Sequence, residues 1–150
     1  MAMKIESFFF TSGLLLLTTA TAKLISSGGT ALSLQMGDPI FHLSFREMFI
    51  AMGIMESVIG LICFLAKSVR LRAGLLAWLS SAFVVYRIGL NWMGWHKPCS
   101  CLGNLTDVLH ISSEAADIAS KIILAYLIIG SYAILFWLFW MPKSTSSPVK

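Results

Sequence analysis

Residues 43–66 read LSFREMFIAMGIMESVIGLICFLA, and beyond Glu47 this stretch contains a single charged side chain, that of Glu56. A helix needs about 20 predominantly apolar residues to cross the hydrocarbon core of a bilayer. The stretch is therefore long and apolar enough to span a membrane. Other parts of the chain have the same character, and we predict transmembrane helices over about 5–25, 43–66, 71–92 and 115–140.

The composition of the chain agrees with a membrane protein. Of its 150 residues, 57% are hydrophobic and 12% are charged, whereas an average soluble domain carries about 25% charged residues. High hydrophobicity with low charge excludes a disordered chain, and three cysteines are too few for a disulfide scaffold. The expected fold class is all-α, a polytopic bundle of four transmembrane helices. We expect one domain over residues 1–141 and a disordered cytoplasmic tail at 142–150.

The basic residues predict the orientation of the chain. Lys67, Arg70 and Arg72 form a short basic turn between the second and third spans. Because cytoplasmic loops carry an excess of lysine and arginine, we expect this turn and both termini in the cytoplasm of a bacterium, with the chain in its inner membrane. The loop at 93–113 then faces the periplasm. The formal net charge of +4 is thus a signal of topology, and the expected partner is the lipid bilayer and not nucleic acid.

An alternative stays open for the first span. Ala20-Thr21-Ala22 has the small residues of a signal-peptide cleavage site. Cleavage after Ala22 would leave three helices in the same orientation. The apolar stretch continues beyond that site, which favours a retained helix.

The loop at 93–113 contains the most distinctive residues of the chain. Cys99 and Cys101 stand one residue apart, directly after a proline, on the side of the membrane where disulfides persist. A bridge between them would close a very small, strained ring, and strained, exposed disulfides are labile or catalytic rather than structural. Lys97 and a protonated His96 would stabilise the thiolate that carries out exchange. We therefore predict a catalytic Cys99–Cys101 pair supported by His96 and Lys97.

Two other interpretations of this loop stay open. A cysteine bridge could merely shape the loop of a non-catalytic assembly subunit in a larger membrane redox complex. Alternatively, the loop could bind zinc or copper, although a Cys-x-Cys spacing is shorter than in common zinc motifs. The ligands for a metal would be His96, Cys99, Cys101 and His110. Cys63, near the cytoplasmic end of the second span, is expected to be a small buried residue.

Glu56 is the sharpest polar feature within a span, where a charged residue is costly and marks a candidate functional site. Gly53, Gly60 and Cys63 share one helical face with it. Small residues on that face permit the close approach of another helix. Glu56 is therefore expected to point into the bundle, either as a carboxyl group bonded between helices or as part of a proton or quinone site.

A second set of polar residues lies near the outer ends of the spans. Arg87 lies deeper than the others and needs a carboxylate partner, for which Glu47 is a candidate. Asp117 and Lys121 stand one turn apart, in the favourable order for a helical ion pair. Glu56 and Arg87 are expected to form a buried polar core beneath the cysteine loop. The basic side chains expected to extend to the bilayer interface are those of Lys23, Arg46 and Lys121.

Three pieces of the sequence resemble the MauE/DoxX-like family of membrane proteins, whose fold is a four-helix transmembrane bundle. They are Ala22-Lys23-Leu24, Glu56 with Gly60, and Pro98-Cys99-Ser100-Cys101-Leu102-Gly103. The MauE branch is associated with the maturation of methylamine dehydrogenase together with a thioredoxin-like periplasmic protein, and the resemblance matches Cys99 and Cys101 with the cysteine pair of that branch. The DoxX side includes a subunit linked to thiosulfate oxidation by quinone and has no such pair.

The residues and the resemblance together predict an integral membrane protein that assists periplasmic thiol–disulfide exchange. Its task would be disulfide formation in a partner, or the maturation of one such as an amine dehydrogenase. The expected partner is a thioredoxin-like periplasmic protein or a membrane redox complex. A quinone is the candidate acceptor of the electrons.

Overall fold

A computed structural model of the protein describes residues 2–29, 37, 40, 43–94 and 113–140. These residues form four helices: α1 (Ala2–Ser27), α2 (Phe45–Leu65), α3 (Val69–Trp92) and α4 (Ser113–Trp140). All four are long and apolar enough to cross a membrane, which confirms the predicted all-α bundle of membrane helices. The cysteine pair, its supporting residues and the predicted tail lie outside the described residues; they are His96, Lys97, Cys99, Cys101, His110 and 142–150.

Side-chain caps define the starts of α2 and α3. At α2, the Ser44 hydroxyl accepts from the Glu47 backbone N–H at 3.3 Å, while the Glu47 carboxylate accepts from the Ser44 backbone N–H at 2.9 Å. This reciprocal capping box satisfies backbone donors that the helix itself leaves unpaired. At α3, the Ser68 hydroxyl accepts from the Leu71 N–H at 3.3 Å, without a reciprocal contact because leucine has no polar side chain. Because of this cap, α3 begins at Val69 rather than at the predicted Leu71.

Glycines allow α1 and α2 to pack closely as an antiparallel pair. A Cβ atom added at Gly53 would lie 2.9 Å from Cγ of Leu24, and one at Gly60 would lie 3.1 Å from Cγ of Leu17 and 3.3 Å from the carbonyl oxygen of Gly13. Small residues let helix backbones approach in a membrane, where packing rather than the hydrophobic effect holds helices together. The α1–α2 contact is accordingly the most extensive in the bundle.

A second antiparallel pair, α3 with α4, joins the first along fewer contacts. The Ser81 and Tyr132 hydroxyls lie 2.9 Å apart within the second pair, and the Thr11 and Tyr126 hydroxyls lie 2.8 Å apart between α1 and α4. α1 and α3 end, and α2 and α4 begin, at the same end of the bundle, which we call the loop end. The opposite end contains the α2–α3 turn and is called the terminal end. The central core includes Phe9, Leu16, Ile59, Leu76, Leu79 and Leu127.

Large apolar side chains cover the outside of the bundle. Soluble proteins rarely expose contiguous apolar patches of more than a few hundred Å², whereas lipid is a favourable neighbour for such a surface. Examples on each helix are Phe10, Ile25, Ile54, Leu65, Val85, Ile88, Ile129 and Phe139. The outer surface is thus suited to a lipid bilayer.

Arg72 is a core residue at the terminal end rather than part of an exposed basic turn. Its guanidinium donates to both carboxylate oxygens of Glu6, at 2.7 and 2.8 Å, and lies 4.4 Å from the ring centroid of Phe9. The prediction that Arg72 contributes to the charge of the turn is therefore wrong, because α3 has already begun and Arg72 faces α1. Lys67 and Arg70 remain exposed and keep this end basic.

Candidate functional site

A buried ion pair lies inside the bundle, toward the loop end. The Lys23 ammonium of α1 donates a hydrogen bond to Oε1 of Glu56 in α2, and the Thr19 hydroxyl donates to Oε2 at 3.2 Å. Only 8% of Lys23 and 2% of Glu56 are exposed. The Lys23 Nζ atom also lies 5.0 Å from the ring centroid of Phe83 in α3, within cation–π distance. Each carboxylate oxygen thus has a partner on α1.

This arrangement confirms one prediction and corrects another. Glu56 points into the bundle, as its face of small residues predicts. The expectation that Lys23 extends to the bilayer interface is wrong, because Lys23 is buried and neutralises Glu56. Burying either charge alone would be costly, whereas the pair with its additional hydrogen bond compensates both.

The direction of the helices explains why Lys23 points inward. Side chains on a helix lean toward its N-terminus, and Lys23 stands in the last turns of α1, so its side chain extends from the loop end back into the bundle. Glu56 leans toward the loop end, where α2 begins, and so toward Lys23. Lys121 stands in α4, which starts at the loop end, and leans outward; 64% of its side chain is exposed.

The Lys23–Glu56 pair forms one wall of a pocket of about 110 Å³ to which all four helices contribute. Phe83 of α3 and Ser120 of α4 line the pocket together with Thr19 of α1. The remaining walls are aliphatic and consist of Leu16, Ala119, Ile123, Leu124 and Leu127. The pocket therefore combines an apolar interior with a single buried ion pair.

A second polar cluster ties α3 to α4 beside the pocket. Nη2 of Arg87 lies 2.5 Å from Oγ of Ser120 and 3.3 Å from Oδ1 of Asp117. Asp117 also forms the predicted ion pair with Lys121, at 2.7 Å. The prediction that Glu47 pairs with Arg87 is wrong, because the Glu47 carboxylate belongs to the cap of α2. Ser120 both lines the pocket and accepts from Arg87, and so connects this cluster with the pocket.

The structure therefore divides the predicted polar core into two ion pairs. Glu56 pairs with Lys23 between α1 and α2, and Arg87 pairs with Asp117 between α3 and α4. Sequence reasoning missed Lys23 as a site residue. It weighed Glu56 as part of a proton or quinone site but did not foresee which other residues line the pocket. The signal for Lys23 was present, because a basic residue at the C-terminal end of a span leans inward.

Neither the remaining predicted residues nor the comparisons with known proteins identify a function for the chain. Among the described residues, no group of three or more metal-ligating side chains occurs, and the proposed metal ligands are not among those residues. Comparisons of the chain with protein-family models, curated proteins and solved structures gave no match. Function is therefore inferred from the chain's own residues, and the resemblance to the MauE/DoxX-like family stays a prediction.

Proposed function

We propose that this chain is a multi-pass protein of a bacterial inner membrane that takes part in periplasmic thiol–disulfide exchange. Cys99 and Cys101 are the redox pair in this proposal, and His96 and Lys97 favour their thiolate form. The partner is a thioredoxin-like protein with a dithiol, as the resemblance of the cysteine segment to the MauE branch suggests.

One observation carries the proposal, namely the end of the bundle from which the cysteine loop leaves. α3 ends at Trp92 and α4 begins at Ser113, so the residues between them connect two helix termini at the loop end. The exposed residues Lys67 and Arg70 lie at the other end, which by sequence also carries the basic residues of both termini, Lys4, Lys143 and Lys150. These outnumber Arg46, Lys97 and Lys121 on the side of the cysteine loop. The excess of basic residues in cytoplasmic loops supports a cytoplasmic terminal end and thus an oxidising environment around the cysteines.

The proposed reaction starts from the Cys99–Cys101 disulfide. A thiolate of the partner attacks one of its sulfurs, which breaks the S–S bond, forms a mixed disulfide and releases a thiolate of this chain. The second partner thiolate then displaces the other cysteine. Two electrons pass from the partner, which becomes a disulfide, to Cys99 and Cys101, which take up two protons as thiols. Strain in the small ring favours this direction, because it raises the reduction potential of the pair.

The test uses the full-length chain in lipid nanodiscs with a reduced thioredoxin-like protein, followed by alkylation of free thiols and mass measurement. We expect one partner disulfide per oxidised chain. Cys99→Ser and Cys101→Ser should each abolish turnover, because neither variant can form the disulfide that oxidises the partner. Cys63→Ser is the matched control, since Cys63 is buried at the terminal end, and it should leave the exchange unchanged.

Two results would contradict the proposal. The first is a Cys99–Cys101 pair that stays inert to reduced partner. The second is zinc or copper that copurifies with the chain and is lost in a His96→Ala variant, which would support the metal-binding alternative instead.

A further inference from the structure

We propose that the pocket beside Lys23 and Glu56 binds the ring of a lipid-soluble quinone. Binding of the quinone is argued from the pocket alone and does not depend on the proposed function. The role of the bound quinone as electron acceptor rests on the proposed exchange function, because the reduced cysteine pair then supplies the electrons.

The position of the pocket points to a ligand that enters from the membrane. The pocket lies between α1 and α4, which make few contacts with each other. Side-chain contacts between these two helices, such as Thr11 with Tyr126, Phe8 with Tyr126 and Phe8 against Gly130, lie nearer the terminal end than the pocket does. Ala119 lines the pocket and is also exposed, so it lies at the rim. A rim between two lipid-facing helices is accessible to a molecule dissolved in the bilayer.

The hydrogen-bonding groups of the pocket select a ligand that accepts hydrogen bonds. The Thr19 hydroxyl has one hydrogen, which is directed at Glu56 and the Leu16 carbonyl oxygen, at 3.2 and 3.0 Å. The Ser120 hydroxyl donates to the carbonyl oxygen of Asp117 at 2.8 Å. An ammonium has three donors, and the hydrogen bond of Lys23 to Glu56 uses one of them. The pocket therefore offers a carbonyl oxygen its hydrogen bond from Lys23.

The remaining surface and the size of the pocket suit a ring. Its walls are aliphatic apart from the polar groups just described and the aromatic ring of Phe83. The volume of about 110 Å³ is comparable with an engineered apolar cavity of about 150 Å³ that binds benzene. A single quinone ring fits this space, and its isoprenoid tail leaves past Ala119 into the lipid.

The Lys23–Glu56 ion pair is suited to both redox states of the ligand, the quinone and the quinol. A quinone accepts two electrons and two protons and becomes a quinol, while the cysteine dithiol loses them and becomes a disulfide, so the exchange balances. Lys23 stabilises the oxygen on which negative charge develops. Glu56 accepts a hydrogen bond from the quinol hydroxyl that forms.

The experiment measures binding of a benzoquinone with a single isoprene unit to the full-length chain in nanodiscs, together with photo-crosslinking by its azido derivative. Ile123→Trp fills the pocket, while Ile122→Trp places the same side chain on the neighbouring exposed position. We expect saturable binding that Ile123→Trp weakens at least tenfold and Ile122→Trp leaves unchanged. Crosslinks should fall on α1 near Thr19 and on α4 near Ala119.

Absence of saturable binding, or equal effects of the two tryptophans, would overturn the inference. A Cys99→Ser variant separates this proposal from the proposed function, since it should bind the quinone like the unsubstituted chain but produce no quinol when reduced partner is added. Exchange with the partner without quinone binding would refute only the quinone site. Quinone binding without exchange would refute only the function of the cysteines.

Discussion

The strongest test of the bundle is to remove the ion pair between Lys23 and Glu56 one member at a time. Lys23→Met leaves the Glu56 carboxylate buried with one neutral hydrogen-bond donor, Thr19. Glu56→Met leaves the Lys23 ammonium against the ring of Phe83. Removing one partner of a buried ion pair costs about 3–5 kcal/mol, because a charge stays buried without compensation. Since Thr19 and Phe83 each retain a favourable contact, we expect about 3 kcal/mol for either variant.

The double variant Lys23→Met/Glu56→Met removes both charges and should behave differently. Replacing a whole buried ion pair by apolar side chains of similar volume is often neutral or stabilising. We therefore expect the double variant to lie within about 1 kcal/mol of the unsubstituted chain, so that the two substitutions are strongly non-additive. The matched control is Lys121→Met, which removes an exposed lysine of the loop end and should change stability by less than about 1 kcal/mol.

The measurement is reversible unfolding of the chain in mixed micelles with increasing sodium dodecyl sulfate, followed by circular dichroism. A loss of 3 kcal/mol changes the unfolding equilibrium by about two orders of magnitude, well within the range of this assay. Additive losses in the double variant would refute the pairing, as would single variants no less stable than the Lys121→Met control.

Three further substitutions, two of them with a matched control, test the packing of the helices in the same assay. Gly60→Leu should destabilise the bundle by about 1–3 kcal/mol through overpacking against α1. Gly74→Leu should cost less, because an added Cβ there meets nothing within 4 Å. Equal losses of stability would contradict the close α1–α2 contact. Arg87→Gln should cost more than Lys121→Gln, because Arg87 is the less exposed of the two partners of the same α4 carboxylate, and the reverse order would contradict the α3–α4 link. Arg72→Lys should lower stability despite keeping the charge, since lysine cannot form the two-pronged contact with a carboxylate; an unchanged midpoint would argue against that contact.

The apolar length of each span and the face that carries Glu56 were predictable from the sequence, because both depend on local periodicity. The partners of the charged residues were not. Lys23 and Glu56 stand at unequal distances from the ends of their helices, and the long connection between α1 and α2 does not determine how the helices align. The same holds for Arg87 and Asp117, which lie on either side of the cysteine loop.

The lining of the pocket was harder still to foresee, since it depends on where four helices fail to fill space. Its charged wall could have been anticipated from the lean of side chains toward helix N-termini. That rule separates Lys23, which points inward, from Lys121, which points outward, although both stand near the loop end. Arg72 shows the limit of the rule, because only the packing of α1 against α3 reveals that Glu6 meets it.

The distribution of ion pairs between the two helical pairs has a consequence for how the protein is made. A charged residue at the centre of a span costs about 2.5–3.5 kcal/mol when a single helix enters the membrane during synthesis. Lys23 and Glu56 lie on consecutive helices, so the charges of this buried pair are compensated within the first hairpin. The same holds for Arg87 and Asp117 in the second hairpin. Among the described residues, only the Arg72–Glu6 ion pair joins the two hairpins, and it forms once both halves have been inserted.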